Sequence, residues 1–492
     1  MQDLKQRTIR GSFAKLCAQG ANFFLRVGSV MILARILDPK DFGLVGMVTA
    51  VTGVLSLFRD FGLSTATVQR DNITDGQIST LFWINLSVGV LLAIFSLAIA
   101  PVVAAFYHEP RLFAVTAVLA TGLFFNAAGV QHSAILQRQM RFTALSLIDI
   151  IALIVSTVVG IGMAIRGYGY WALVIMAILI PFVGTVGVWL TTAWIPSRPR
   201  LHVEVRSMMR FGGAVTLNSL LIYVAMNFEK VLLGRFWGAE AIGIYGRAYQ
   251  LINIPIENLN ATASGVAFAA LSRLQEDHAR FKSYFLKGYS LVLALTLPIT
   301  TACALFAHDM IFGFLGPKWH DAVPIFRLLA PTILVFAIVN PMAWLLCSLG
   351  KVGRLVKMAV VLTPCMVAGY FVGLPYGPKG VAFAYSTLML LWMIPAIVWA
   401  VHGTVISVRD ILMAVRWPLA SCIVAAPLAY GVQVFYGQSM SVLSRLILEG
   451  SVLVAAYLGM LLFVTGQKTF YLDLLRGLIG SPSVKQKSLA SA

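Results

Sequence analysis

Apolar residues run along this chain in blocks of about 20, long enough to cross about 30 Å of hydrocarbon as helices. Short polar stretches part them, and none shows the strict alternation of a half-buried strand. A window of about 19 residues places spans near 13–34, 42–63, 80–101, 111–131, 145–165, 169–192 and 212–233. A second set follows near 242–270, 285–306, 323–348, 355–375, 380–401, 411–432 and 443–465. The runs are too long and too uniform for barrel strands, and only a helix satisfies its own backbone polar groups inside lipid. The pattern therefore predicts an all-α, polytopic membrane protein of about 14 transmembrane helices. The second and eighth spans stand out as rich in glycine and polar residues.

Composition sharpens that picture. Of 492 residues, 59% are hydrophobic and 11% charged, with a mean hydropathy of +0.86, whereas soluble proteins carry about 25% charged residues. Too little polar chain remains for a cytosolic enzyme, a secreted disulfide scaffold or a large ectodomain. The net charge of +18 sits in short loops rather than on one face of a domain, so it does not point to nucleic acid. Alternate loops hold about 25 and about nine Lys and Arg residues, a bias that puts both termini in the cytoplasm and calls for an even number of spans. The N-terminal apolar run is broken by Arg26 and Arg35 and reads as an uncleaved first span. The five cysteines lack metal-ligand spacing, and no phosphate-binding glycine loop, metal-spaced histidine set or nucleophilic triad is evident. Neither a cofactor, a metal nor a catalytic residue is expected.

Segments 33–46 (LARILDPKDFGLVG) and 233–246 (LGRFWGAEAIGIYG) share a pattern at an offset of 200, with Arg35, Gly43 and Gly46 matching Arg235, Gly243 and Gly246. Upstream, Arg10 matches Arg210 and Ala14 matches Ala214. Repeats of this kind mark transporters built from two related bundles. The expected organisation is a six-helix bundle over 1–192, a cytoplasmic linker over 193–211 and a second six-helix bundle over 212–402. Two extra helices over 403–465 and a cytoplasmic tail over 466–492 complete it.

Polar side chains recur at helical spacing in the spans that open each half. The first span places Ser12, Lys15, Gln19, Asn22, Arg26 and Ser29 on one face, and the second Gly46, Thr49, Gly53, Ser56 and Asp60, with Arg59 adjacent. The seventh carries Thr216, Ser219, Tyr223, Asn227 and Lys230 with Glu229 beside them. The eighth carries Gly246, Gln250, Asn253, Glu257, Asn260 and Ser264 with Arg247 on the flank. A charge at mid-bilayer costs about 2.5–3.5 kcal/mol on insertion scales, so such residues face a cavity or one another. The Gly, Ser and Thr positions serve equally as helix-packing surface, and Lys15, Lys230, Arg59 and Asp60 serve equally by snorkelling at a span end. Asp149, in the fifth span, reads as either a structural partner or an end residue.

The string NFEKVLLGRFWGAEAIGIYGRAYQLINI at 227–254, continuing to IENLNATASGVAFAALSRLQED, resembles the Wzx-type polysaccharide repeat-unit flippases, in the branch of the colanic acid exporter. So does LARILDPKDFGLVGMVTAVTGVLSLFRDFGLSTATVQRD at 33–71. The resemblance implies export of undecaprenyl-diphosphate-linked oligosaccharide to the periplasmic leaflet by alternating access, in a bacterial inner membrane, for exopolysaccharide or O-antigen assembly. It also implies a V-shaped cavity lined largely by the first, second, seventh and eighth spans. Substrate-binding roles then fall to Arg26, Asn22, Lys230, Arg247, Gln250 and Asn253, and ion coupling to Glu257, Asp60 and Glu229. The expected partners are the lipid-linked oligosaccharide and membrane lipid, with a polysaccharide polymerase and a chain-length regulator beside them, and no nucleic acid. The branch often has Asp beside the motif asparagine, where this chain has Phe228, Glu229 and Lys230. A drug exporter of the MATE type, coupled to protons or sodium, is the rival of like architecture, but cationic drugs favour an acidic cavity. A membrane polysaccharide polymerase is the rival of another class, and the short loops here speak against an enzyme.

Overall fold

The structure is a computed structural model that describes residues 20–58, 64, 67–68, 73–199, 206–436, 440–469 and 471. Helices account for nearly all of them, and no strand occurs among the described residues. Helix α1 occupies 20–36. It is followed by α2 (Pro39–Leu57), α3 (Asp75–Tyr107), α4 (Arg111–Arg138), α5 (Phe142–Ile165) and α6 (Tyr170–Thr192). Helix α7 (Arg206–Ser272) is continuous in hydrogen bonding but broken at Gly238, whose φ of 82° lies outside the helical region. That break divides it into α7a, 206–237, and α7b, 239–272, the seventh and eighth spans. Then come α8 (His278–Leu305), the short α9 (Ala307–Phe314) and α10 (Ala322–Leu329), and α11 (Pro331–Ser348). Last are α12 (Val352–Gly373), α13 (Gly377–Val401), α14 (Val408–Tyr436) and α15 (Val442–Gly459). Pro331 splits the expected tenth span into α10 and α11: its ring is welcome at the first position of a helix but not inside one.

With α7 read as two helices and α10–α11 as one, the described residues supply fourteen membrane-length elements, as the hydropathy pattern predicts. Local chemistry sets several starts. Thr74 accepts from the Gln77 amide at 3.3 Å while Gln77 Oε1 accepts from the Thr74 amide at 2.9 Å, a reciprocal cap on α3. Asp277 caps α8 through the Arg280 amide at 3.0 Å.

The chain divides into two compact units, Met1–Gly246 and Arg247–Ala492. In the first, α3 packs on α4, α4 on α6 and α5 on α6. His132 stacks on Trp189 with ring centroids 4.3 Å apart, and the Trp189 indole donates to the Ala128 carbonyl at 2.9 Å. The stretch after α6 is tied to α3, because Trp83 donates to the Ser197 carbonyl at 2.8 Å and the Ser197 amide donates to Ser79 at 3.1 Å.

The repeated segment forms a joint inside this unit. A Cβ on Gly43 would lie 1.6 Å from the Ala239 carbonyl oxygen, and a Cβ on Gly243 would lie 1.9 Å from the Pro39 carbonyl oxygen. Under the offset of 200 these two contacts exchange, so the α2 and α7b segments meet about a local pseudo-two-fold axis. Only glycine, lacking Cβ, lets the two backbones come this close.

In the second unit, α12 packs on α13, α14 on α15, α11 on both α8 and α13, and α14 on α8. One core gathers Phe281, Phe285, Tyr289, Leu345 and Met358. Another seats the last two helices on α8 through Leu297, Phe306, Cys422, Ala425 and Leu453, where the Tyr457 hydroxyl donates to the Ala294 carbonyl at 2.9 Å.

Candidate functional site

Of the polar stripes read from the sequence, the described residues include parts of the first, second, seventh and eighth spans. On α1, Asn22 is half-buried, Arg26 exposed and Ser29 buried. The Ser29 hydroxyl donates to the Arg26 carbonyl at 2.9 Å, which spends the serine on its own helix and leaves the guanidinium as the polar tip of the face.

On α7a the stripe becomes a ladder. The Asn227 amide donates to the Tyr223 carbonyl at 3.0 Å, and the Lys230 ammonium donates to Asn227 Oδ1 at 2.7 Å. The Tyr223 hydroxyl crosses to α2 and donates to the Thr49 carbonyl at 3.0 Å. Asn227 thereby holds Lys230 by its acceptor, positioning a cation within the membrane-spanning helix. Glu229 points elsewhere: it is 1% exposed, and neither carboxyl oxygen has a hydrogen-bond partner among the described residues.

On α7b the stripe resolves into two pairs one turn apart. Arg247 donates to Gln250 Oε1, and the Asn253 amide donates to Glu257 Oε1 at 2.6 Å. Arg247 and Asn253 are half-buried, whereas Gln250 and Glu257 are exposed. Beside Glu257, Ile256 joins Val292, Thr296, Phe336, Asn340 and Trp344 in lining a small crevice within the second unit, apolar apart from Thr296 and Asn340. Asp60, with Arg59, Lys15, Ser12 and Gln19, lies outside the described residues, as do the side chains of Thr216, Ser219, Asn260 and Ser264.

The arrangement offers cations and amides along helices that cross lipid, and Lys230, Arg247 and Asn253 are each bonded to a side chain three or four residues away. Such groups can substitute for the hydration of an anionic headgroup. Among the described residues no group of three His, Cys, Asp or Glu side chains is placed to hold a metal ion. Sequence reasoning missed a further charged group, Asp309 with Arg445 and Glu449. Arg445 donates to Asp309 from two nitrogens, through Nε at 2.6 Å and through Nη2. An acidic residue inside the apolar fourteenth span was the available signal.

The pattern of a protein family described as "Polysaccharide biosynthesis protein" matches residues 32–324, more than half of the chain. The lipopolysaccharide biosynthesis protein WzxC of Escherichia coli K12 is 25% identical over 400 residues, covering 79% of this chain and 80% of that protein. Among solved structures, the lipid II flippase MurJ in its inward closed conformation superposes with a TM-score of 0.74 at 13% identity, covering 95% of this chain and all of that one. An inward-facing multidrug resistance transporter of the MATE family superposes with a TM-score of 0.61 at 14% identity, covering 80% and 96%. At such identities both likenesses speak to the fold.

Proposed function

This chain belongs to the polysaccharide biosynthesis protein family, and from that premise we propose that it flips an undecaprenyl-diphosphate-linked oligosaccharide repeat unit from the cytoplasmic to the periplasmic leaflet. It is a multi-pass membrane transporter, not an enzyme. Residence in a bacterial inner membrane, which the family resemblance implies, and cytoplasmic placement of both termini, which the loop-charge bias supports, belong to the same proposal. So do the polymerase and chain-length regulator as working partners.

The observation that carries this function is the set of positioned cations and amides on transmembrane helices: Arg26, Lys230 on Asn227, and Arg247 on Gln250. A diphosphate moved bare through hydrocarbon faces a desolvation penalty of tens of kcal/mol. Arg26, Asn22, Lys230, Arg247, Gln250 and Asn253 replace its water while the prenyl tail stays in lipid. The bundles of the repeat, 1–192 and 212–402, move in alternating access. Coupling falls to carboxyls within the spans. Glu229 is the most apt, being buried without a hydrogen-bond partner among the described residues, while Glu257 is engaged by Asn253; Asp60 keeps the role its sequence position suggests.

Flipping of a fluorescent lipid-linked oligosaccharide in proteoliposomes tests this. Loss of one charge-assisted hydrogen bond is worth about 1.5–3 kcal/mol, so Arg26→Ala and Lys230→Ala are each expected to slow flipping about ten- to hundredfold. Wild-type rates in both would overturn the assignment. The drug-exporter alternative has less support, since the family pattern and WzxC both name polysaccharide biosynthesis. Uptake of a fluorescent cation by the same vesicles would revive it.

A further inference from the structure

Asp309, on α9, and Glu449, on α15, are both fully buried, on helices that pack against each other. One guanidinium serves the two. Arg445 gives its fork to Asp309, with Nε at 2.6 Å, and reaches Glu449 Oε1 only at 4.0 Å. Both Glu449 oxygens are buried without a hydrogen-bond partner among the described residues.

The charged residues beside α9 on the following turn and on α10, Lys318, Asp321 and Arg327, are exposed. From α9 the only further titratable group facing the cluster is His308, whose Nδ1 stands 3.0 Å from Asp309 Oδ1 and whose ring stacks on Phe312. Helix α8 ends in the buried Cys303 thiol, and the charged residues of α14, Arg409, Asp410 and Arg416, lie at its far end. Asp410 there is paired with Lys282 at 2.7 Å. Lys318 and His320, on the turn after α9, are exposed. Two buried carboxylates sharing one guanidinium leave a net negative charge out of water, and like charges so placed do not both ionise.

We propose that Asp309, Arg445 and Glu449 form a proton-binding site, in which Glu449 carries one exchangeable proton and His308 conducts it to and from the exterior. Asp309 is the anion of the pair. Burial alone raises its carboxyl, but the Arg445 and His308 hydrogen bonds outweigh that and hold it below the ordinary carboxylate value. Protonated Glu449 donates its O–H to Asp309, which satisfies an otherwise stranded carboxyl. Loading balances simply. A His308 imidazolium gives its Nδ1 proton to Asp309, Asp309 passes a proton to the Glu449 carboxylate, and the imidazole ends neutral. The site lies where α8 ends and α15 begins, the side that the loop-charge bias assigns to the periplasm. There a proton entering down its gradient meets the protein first. Use of that proton to drive export rests on the flippase function proposed above; its binding does not.

Infrared spectroscopy of the full-length protein in lipid reads the site directly. At neutral pH the wild type is expected to show protonated-carboxyl absorption, of which Glu449→Gln removes one equivalent per chain. Asp309→Asn is expected to remove the same equivalent by another route, since Arg445 then has Glu449 as its only carboxylate. Absorption unchanged in Glu449→Gln would overturn the proposal, as would its persistence in Asp309→Asn or its displacement by sodium at constant pH. In proteoliposomes, Glu449→Gln is expected to flip with a smaller acceleration from an imposed proton gradient than the wild type, the remainder falling to the other coupling carboxyls. If the wild type does not flip at all, the transport function fails while the infrared result stands.

Discussion

Replacing Gly43 by alanine tests the joint between the two repeats. The added Cβ would sit 1.6 Å from the Ala239 carbonyl oxygen and 2.4 Å from its carbon. Ordinary contact between a methyl and an oxygen needs about 3.4 Å, so the backbones must part by about 1.8 Å. Neither side can yield by a rotamer change, because the obstacle is main chain. Parting them opens the packing of Phe42, Leu44 and Met47 on α2 and of Ile242 and Tyr245 on α7b, all nearly or fully buried. Overpacking costs about 1–3 kcal/mol or more, and the void opened alongside forfeits dispersion contacts. Alanine returns up to about 1 kcal/mol of helix propensity, which roughly offsets the void and leaves a net loss of about 1–3 kcal/mol. In thermal unfolding followed by tryptophan fluorescence, that is a fall of roughly 2–12 °C on the scale of medium-sized domains. Gly243→Ala, which meets the Pro39 carbonyl oxygen at 1.9 Å, is expected to match it. Gly246→Ala, with nothing within 4 Å of the added methyl, is expected to leave stability unchanged or raised. Equal melting of Gly43→Ala and wild type, or equal damage from Gly246→Ala, would refute the steric account.

Two further expectations follow. Tyr223→Phe deletes the hydroxyl that donates to the Thr49 carbonyl at 3.0 Å, so a loss of about 1 kcal/mol is expected in the same melting assay; none at all would mean that this bond contributes nothing. Arg445→Leu leaves the buried Asp309 carboxylate without its guanidinium and is expected to cost about 3–5 kcal/mol at neutral pH. Asp309 is held below its ordinary value, so its share of the stabilisation is present above the unfolded carboxylate range, about 3.9, and disappears as pH falls through the depressed value. The gap between wild type and Arg445→Leu should therefore close in acid, and a gap independent of pH would sink the ion-pair account.

Much of the fold was legible because each signal was periodic and local. The polar faces of the seventh and eighth spans repeat every three or four residues, and the pairs they form, Asn227 with Lys230 and Asn253 with Glu257, have that same separation. The break in α7 is subtler. Gly238 interrupts the helix at one residue, too short an irregularity to read as a loop. Gly43 and Gly243 were recognisable as equivalent, but sequence matching says only that they correspond, not that each abuts the other's neighbouring main chain. Asp309 and Arg445 lie 136 residues apart. From the sequence Arg445 counts only as one charge of a short loop, because spacing carries no record of tertiary approach.

The reciprocal glycines have a genetic corollary. Where a mutation overfills a pocket walled by side chains, trimming the opposite residue can restore the fit, and paired changes drift together. Here each glycine is opposed by a peptide carbonyl that every amino acid carries, so no exchange across the joint can act as its suppressor. Revertants of a substitution at Gly43 would have to restore glycine itself or reposition a whole helix.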